Sequence, residues 1–198
     1  MPNIEKILHA INSHQSDQTY APREDTFLIL DVLTNIPVHG KKVLEIGTGS
    51  GILGLFCAQN GAQVTVTDVE DTTLENVSAA ARSLGLKIKT IKSNMFLTVD
   101  GQFNIVLFNP PYLPSEDFRD TTTDGGICGR KFIDQFLEGL ATHLTHDGLD
   151  MLLVSSVNRP NLIIRDHPEY SVTVAAQRTL FFEELQVLLC RLRNSAAG

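Results

Sequence analysis

The chain has 198 residues, of which 42% are hydrophobic and 20% are charged, and it contains 14 glycines and 8 prolines. These values exclude a disordered or collagen-like chain and indicate a globular protein with enough core for one domain. The net charge of −7 lacks the basic excess of most nucleic-acid-binding proteins, which favours a protein or small-molecule substrate without excluding RNA.

The sequence contains no apolar run of the about 18 residues that a membrane span needs, and its charged N-terminus differs from a secretory signal. We therefore expect a cytoplasmic protein without membrane contact. The cysteines Cys57, Cys128 and Cys190 are odd in number and widely spaced, which favours reduced thiols over disulfides or a metal site. With no repeat or linker, residues 1–198 are expected to form a single domain in which residues 1–19 are a helical extension.

Hydrophobic periodicity predicts helices that alternate with strands. In chain order these are a helix from Ile4 through Ile11 that ends in the polar residues 12–19, a helix over 24–33, a strand over 43–46, a helix over 52–59, a strand over 64–67, a helix over 72–84, strands over 87–92 and 103–108, a helix over 130–143, and strands over 149–155, 170–176 and 185–192. This alternation indicates an α/β fold with a parallel sheet covered on both faces. The last two strands are too close for a long crossover helix, so they predict an antiparallel hairpin.

Glycines cluster in the segment Gly47-Thr48-Gly49-Ser50-Gly51, between the first strand and its helix. Bare backbone at this position lets a nucleotide-like ligand approach the N–H groups of the helix. Gly49, Gly51 and Gly54 also match the G-x-G-x-x-G spacing of a dinucleotide site, so a nicotinamide or flavin enzyme stays open as an alternative.

Two acidic residues accompany the glycine cluster. Asp68 ends the next strand, where a carboxylate can accept hydrogen bonds from both ribose hydroxyls of a nucleoside. Glu45 precedes the first glycine and would lie at the other end of the ligand, where a carboxylate holds an ammonium group and repels a pyrophosphate. The pair favours a cationic nucleoside such as S-adenosylmethionine over NAD, with solvated strand ends as the alternative.

The tetrapeptide Asn109-Pro110-Pro111-Tyr112 follows the fourth strand. Each proline fixes its φ angle and lacks an N–H, which leaves a stiff row of hydrogen-bond acceptors. The Asn109 side-chain oxygen and the Pro110 carbonyl can each accept one hydrogen of a planar NH2 group, and the Tyr112 ring can cover that group. A plain strand-ending turn is the alternative interpretation.

Taken together and in this order, Val43–Gly51, Asp68 and Asn109–Tyr112 resemble the motifs of class I S-adenosylmethionine-dependent methyltransferases that act on nitrogen. More narrowly, residues 20–26 (YAPREDT) and 125–130 (GGICGR) resemble the HemK-related family. The chain looks most like its short archaeal and eukaryotic branch, which methylates the glutamine of the Gly-Gly-Gln motif in class 1 translation release factors. The resemblance implies a Rossmann-like class I methyltransferase fold, with a seven-stranded, mostly parallel sheet that ends in a C-terminal antiparallel hairpin.

The resemblance also implies roles for individual residues. The implied cofactor-binding residues are Thr26, Glu45, Gly47, Thr48, Gly49, Gly51, Asp68, Val69, Asn94, Met95 and Asn109. The implied catalytic residues are Asn109, Pro110, Pro111 and Tyr112. Asn94 stands where the family usually has an aspartate, but its side-chain oxygen can still accept from the adenine amino group, and the Met95 N–H can donate to the ring.

The branch is also known for a small zinc-binding partner that pairs along the third strand. Residues 87–91 would be that edge here, although lysines on an edge strand also prevent unwanted pairing, and both interpretations stay open. The alternatives for function are methylation of adenine or cytosine in RNA or DNA, and an inactive cofactor-binding scaffold.

Three weaker candidates remain. His143 and His146 are expected at a helix end and lack a third metal ligand nearby, so they are interpreted as polar residues at a helix terminus. Cys128 has no histidine arrangement that would make it a nucleophile. Phe181 and Phe182 are expected in the core, at the start of the final hairpin.

Overall fold

A computed structural model describes residues 4–14, 21–112 and 129–193 of the protein. Within these residues the strands are β1 (Lys42–Ile46), β2 (Gln63–Asp68), β3 (Ile88–Lys92), β4 (Phe103–Phe108), β5 (Leu144–Ser155), β6 (Tyr170–Thr179) and β7 (Glu184–Leu192). The helices are α1 (Ile4–His14), α2 (Glu24–Leu33), α3 (Ile52–Gln59), α4 (Asp71–Ser83), α5 (Lys131–His143) and α6 (Pro160–Asp166). The predictions for Tyr20 and for residues 125–128, including Cys128, lie outside the described residues.

The seven strands form one sheet in the order β3-β2-β1-β4-β5-β7-β6. Strands β1 to β5 are parallel to one another, whereas β7 runs antiparallel to both of its neighbours, β5 and β6. The predicted mostly parallel sheet with a C-terminal hairpin is confirmed. The strand order reverses direction between β1 and β4, and in open α/β sheets a ligand crevice lies at such a point, beyond the carboxyl ends of the strands.

Two apolar layers cover the sheet. Val43, Val66 and Leu107 point to one face and pack with residues of α1 to α4. Leu44 and Phe108 point to the other face and pack with α5. Because side chains alternate along a strand, an almost continuous apolar run such as 103–108 fills both layers at once. None of the described helices combines the length and the hydrophobicity that a membrane span requires.

The N-terminal helix is part of the first apolar layer. Helix α1 contacts α3 and α4, and its residues Ile7 and Ile11 are buried. The helix runs to His14, three residues past Ile11 and into the polar residues that were predicted to end it. The last turn is exposed, so polar residues carry no penalty there, and the Ser13 hydroxyl donates to the His9 carbonyl at 2.8 Å.

Helices α2 and α3 and strand β4 have the predicted boundaries, but strand β5 begins at Leu144 instead of residue 149. The early start arises because Leu144 pairs with Phe103 of β4, ahead of an irregular register. The prediction that His146 lies at a helix end is therefore wrong, since His146 lies in β5. A 3₁₀ turn over Ser156–Asn158 and helix α6, both absent from the predicted elements, connect β5 to β6.

The prediction that Phe181 and Phe182 are core residues is also wrong. Their exposed fractions are 92% and 89%. The two residues occupy the middle of the turn that joins β6 to β7, which is closed by a 2.7 Å hydrogen bond from the Leu180 N–H to the Glu183 carbonyl. Their side chains lie past the last paired residues, Thr179 and Glu184, so no neighbouring strand covers them.

Candidate active site

The glycine turn and the end of β2 are in direct contact. The Gly49 N–H donates to Oδ2 of Asp68 at 3.2 Å, and the Glu70 N–H donates to Oδ1 of Asp68 at 3.1 Å. Partial burial raises the pKa of Asp68, and these two backbone donors oppose that shift. The carboxyl group predicted to hold a ribose therefore lies directly over the turn predicted to face the nucleoside.

The conformation of the glycine turn depends on residues without a side chain. Gly47, Gly49 and Gly51 have φ angles of 60°, 50° and 76°, in the left-handed region that glycine adopts readily. A Cβ atom on Gly51 would also lie 2.5 Å from Cγ1 of Val77 in α4. The turn can thus sit close against α4 only with glycine at this position.

Glu45 is a buried acid at the centre of the sheet, with an exposed fraction of 4%. Its Oε2 accepts hydrogen bonds from the Thr48 hydroxyl at 2.8 Å and from the Gly54 N–H at 3.0 Å. A Cβ atom on Gly54 would lie 2.7 Å from this oxygen, so the third glycine of the dinucleotide-like spacing makes room for the Glu45 carboxyl group. Burial raises the pKa of Glu45 to about 8.

The turn after β3 lies beside Asp68. The Ser93 N–H donates to the Asp68 carbonyl at 2.9 Å, which places Asn94 and Met95 near the end of β2. Met95 has a φ of 52°, uncommon for a residue with a side chain, and its carbonyl accepts from the Ser93 hydroxyl at 2.9 Å. Asn94 is exposed and Val69 is half-exposed, so both present surface at this edge of the sheet.

Asn109, directly after β4, is held by the first turn of α2. Its Nδ2 donates to Oδ2 of Asp25 at 3.2 Å and to the Thr26 hydroxyl at 3.4 Å. An ionised carboxylate can only accept hydrogen bonds, so the NH2 end of Asn109 must face Asp25. The opposite end, Oδ1, is buried and has no hydrogen-bond partner among the described residues.

Asp25 is the main site residue that the sequence analysis missed. Its exposed fraction is 3%, and its Oδ1 accepts from the Thr26 N–H at 2.6 Å and from the Thr26 hydroxyl at 3.1 Å. The available signal was its place immediately before Thr26 in the segment YAPREDT. An acid in the first turn of a helix is ordinarily explained by the helix dipole, which conceals a role in the site.

Asn158 is a second missed residue and fixes the end of the tetrapeptide. Its Nδ2 donates to the Tyr112 carbonyl at 2.7 Å, and its Oδ1 accepts from the Ser155 N–H at 2.7 Å. The Tyr112 ring packs against the first apolar layer. Burial, followed by repulsion from Asp25 and Glu183, raises the pKa of the Tyr112 phenol.

The predicted site residues therefore gather at one edge of the sheet, at the carboxyl ends of β1, β2, β3 and β4. The family model for the methyltransferase small domain matches residues 24–165, which include every one of these residues. The chain belongs to the methyltransferase small domain family.

Two relatives refine this assignment. A Methanocaldococcus jannaschii protein named as a protein N5-glutamine methyltransferase is 34% identical over 180 residues, or 86% of this chain and 90% of the relative. The release factor glutamine methyltransferase of Deinococcus radiodurans is 38% identical over 116 residues, or 58% of this chain and 38% of that protein. This chain thus spans well under half the length of the Deinococcus relative. These findings confirm the resemblance to the HemK-related methyltransferases.

Two solved structures share the fold. A chain of the E. cuniculi Mtq2-Trm112 complex, which is responsible for the methylation of the termination factor eRF1, has a TM-score of 0.73 and 25% identity, covering 88% of this chain and 99% of that chain. The T. thermophilus 16S rRNA N2 G1207 methyltransferase, solved with AdoMet and guanosine, has a TM-score of 0.65 and 18% identity. The match covers 89% of this chain and 45% of that chain. The predicted class I methyltransferase fold is confirmed.

The substitution Glu45→Gln should change how stability depends on pH. The pKa of Glu45 rises from 4.5 to about 8 on folding, so its contribution to stability is complete below pH 4.5 and is lost as pH rises towards 8. Glutamine keeps an acceptor oxygen for Thr48 and Gly54 but does not titrate. We expect the free energy of unfolding of the variant, minus that of the wild type, to grow by about 1.4 kcal/mol per pH unit across this window.

Urea unfolding at several pH values between 5 and 9 measures this difference. The subtraction cancels the titrating groups that do not interact with Glu45, because both proteins contain them. A difference that stays constant with pH would show that Glu45 is ionised in the folded protein at neutral pH.

Proposed function

We propose that this chain is an S-adenosylmethionine-dependent N-methyltransferase whose substrate is the glutamine side-chain amide of the Gly-Gly-Gln motif in a class 1 translation release factor. The observation that carries the proposal is the buried Oδ1 of Asn109, which has no hydrogen-bond partner among the described residues and is fixed in orientation by Asp25. An acceptor of this kind suits a ligand that brings an N–H donor. The M. jannaschii and D. radiodurans relatives, both named as glutamine methyltransferases, support a glutamine side chain as the source of that N–H donor.

The donor and acceptor set at the sheet edge fits S-adenosylmethionine. Asp68, over the glycine turn, would hold the ribose hydroxyls, and Glu45 would complement the cationic end of the ligand. The remaining proposed cofactor contacts are Thr26, Gly47, Thr48, Gly49, Gly51, Val69, Asn94, Met95 and Asn109. When bound, the cofactor supplies a methyl group carried on positively charged sulfur.

Two acceptors would activate the glutamine amide. The lone pair of an amide nitrogen is delocalised into its carbonyl, so the nitrogen is a weak nucleophile. Asn109 Oδ1 and the Pro110 carbonyl would each accept one N–H and draw the hydrogens out of the amide plane, and this favours the tetrahedral transition state over the planar ground state. The proton can leave after methyl transfer, so the site needs no strong general base.

Two residues would position this acceptor pair without touching the substrate. Asp25 prevents rotation of the Asn109 amide, because the rotated form would place two oxygens against each other. Asn158 holds the Tyr112 carbonyl and so anchors the end of the tetrapeptide, while Pro110 and Pro111 stiffen its backbone. The Tyr112 ring would then cover one side of the flat amide.

A small zinc-binding protein that pairs along β3 is the proposed partner. Strand β3 lies at one edge of the sheet, and its residues Lys89 and Thr90 are exposed. The E. cuniculi neighbour was solved as a complex of Mtq2 with Trm112, which supports a partner of this kind. Release factors act on ribosomes, so the proposal includes a cytoplasmic location.

A labelled-methyl assay tests the function and the role of Asn109 together. The chain, alone and with a partner protein, is offered a class 1 release factor, the same factor with the motif glutamine changed to alanine, and total RNA. We expect label in the intact factor only, and none with the Asn109→Ala variant even though its cofactor affinity stays close to that of the wild type. Label in the altered factor or in RNA, or near-normal turnover by the variant, would contradict the proposal.

The substitution Asp25→Ala should lower kcat while leaving cofactor affinity unchanged. It removes a hydrogen bond to a charged group, worth about 1.5–3 kcal/mol, which corresponds to a loss of roughly 10- to 100-fold in kcat. Asp25→Asn keeps one acceptor oxygen for Asn109 and should fall between the alanine variant and the wild type. If both variants lose equal activity, or if KM for the cofactor changes instead of kcat, Asp25 has a different role.

The substitution Asp68→Ala should weaken cofactor binding by about 1–3 kcal/mol, because it leaves ribose hydroxyls without their acceptor. Isothermal titration calorimetry with S-adenosylmethionine measures the effect. Glu70→Ala is the matched control, since Glu70 is exposed, lies two residues after Asp68 and carries an equal charge. Equal losses in both variants would indicate a general electrostatic effect, and no loss in Asp68→Ala would remove Asp68 from the site.

A further inference from the structure

The turn between β6 and β7 carries two phenylalanines where tight turns favour small or polar residues. Glycine, asparagine and aspartate dominate the middle of such turns. Here Phe181 and Phe182 occupy those positions, and their rings contact each other edge to face, with centroids 4.6 Å apart. Exposed fractions of 92% and 89% leave almost the whole surface of both rings in water. Apart from the contact between the two rings, the fold leaves this apolar surface uncovered, which makes it a candidate for binding another molecule.

The aromatic pair stands on a well-anchored turn. The Leu180 N–H donates to the Glu183 carbonyl at 2.7 Å, and the Glu183 carboxylate accepts a hydrogen bond from the Ser155 hydroxyl at the end of β5. The Glu184 N–H donates to the Ser156 hydroxyl at 3.1 Å. The turn is therefore tied to the neighbouring strand on its inner side, and its rings are presented in a defined place.

This turn rises beside the candidate active site. Strand β7 is separated from β4 by β5 alone, which puts it roughly 10 Å to the side of the end of β4. Phe108 of β4 is level with Leu152 of β5, whereas β5 continues to Ser155, which pairs with Leu185. The turn thus stands a further roughly 10 Å above the level of Phe108. A chain of hydrogen bonds connects this turn to the tetrapeptide: Ser155 donates to Glu183 through its hydroxyl and to Asn158 through its N–H, and Asn158 in turn donates to the Tyr112 carbonyl.

The charges around the pair favour a polypeptide over a nucleic acid. Aromatic platforms that stack unpaired bases stand in positively charged grooves that follow the phosphates. Here Glu183 and Glu184 directly follow the rings, Glu24 and Asp25 begin helix α2, and the nearby cation Arg178 of β6 is already paired with Asp31 of α2 at 3.5 Å. Such a surface repels a phosphate backbone but can bind apolar side chains of a protein.

We propose that Phe181 and Phe182 form a docking site for the polypeptide that carries the methyl-accepting glutamine. The proposal rests on the proposed function and adds where the protein substrate is held. An extended chain advances about 3.4 Å per residue, so the rings would contact substrate residues roughly four to six positions away from the glutamine. The aromatic pair then supplies affinity for the whole protein, while Asn109 and Pro110 act on the amide.

The test compares the wild type with F181A/F182A in methyl transfer to a full-length class 1 release factor. We expect KM for the factor to rise at least about tenfold, as for the loss of two central interface anchors, with kcat and the affinity for S-adenosylmethionine within about twofold of the wild type. Direct binding of the factor, measured by fluorescence anisotropy, should weaken in parallel. F181Y/F182Y keeps both rings and should restore KM, which separates docking from damage to the turn.

Val174→Ala is the matched control, because Val174 is an apolar residue of β6 that is 48% exposed and lies away from the turn. It should leave KM unchanged. If the wild type methylates the factor and F181A/F182A has an unchanged KM, the docking site is overturned. The proposed function then still stands. A wild type that neither binds nor methylates the factor overturns both. Weaker binding of single-stranded RNA, but not of the factor, by F181A/F182A would show that the rings stack bases instead.

Discussion

The hydrogen bond from the Asn109 amide to Asp25 determines what the site can do. The two ends of an asparagine side-chain amide have similar shapes, but one is an acceptor oxygen and the other a donor NH2 group. Only a fixed orientation ensures that the acceptor oxygen faces the ligand. Asp25 provides that orientation from the first turn of α2, and the cost is a buried Oδ1 that has no partner among the described residues. A buried acceptor without a hydrogen bond is costly, so the proposed substrate would gain binding free energy by bringing an N–H to it.

Acidic groups at the same edge of the sheet add a second constraint. Burial raises the pKa of Glu45 to about 8 and also raises that of Asp68, which means that the protein resists their ionisation. A positively charged ligand would favour the ionised forms and remove part of this penalty, whereas a phosphate would increase it. The electrostatics of the site therefore suit a cationic nucleoside better than a dinucleotide, independently of the glycine spacing that both ligands share.

The sheet holds these groups in register because its neighbouring strands are paired. The glycine turn follows β1, Asp68 ends β2, and Asn109 follows β4, so parallel pairing brings three separate segments to one edge. The antiparallel addition of β7 then raises the β6–β7 turn over that edge. The proposed cofactor and amide contacts thus lie in the parallel half of the sheet, and the proposed contact with a protein substrate lies in its antiparallel half.

Much of this arrangement is local in origin and was determined by the sequence itself. Apolar periodicity bounded by glycine and proline predicted α2, α3 and β4 to the residue, and the three motifs predicted which strand ends carry the site. Only the tertiary structure decided the orientation of Asn109, because its partner Asp25 lies 84 residues away, and the anchoring of Tyr112 by Asn158, 46 residues away. The early start of β5 and the exposure of Phe181 and Phe182 likewise depend on where a neighbouring strand begins or ends. The hydrophobic pattern of the sequence indicates which residues can be buried, whereas packing between distant segments decides which groups each residue contacts.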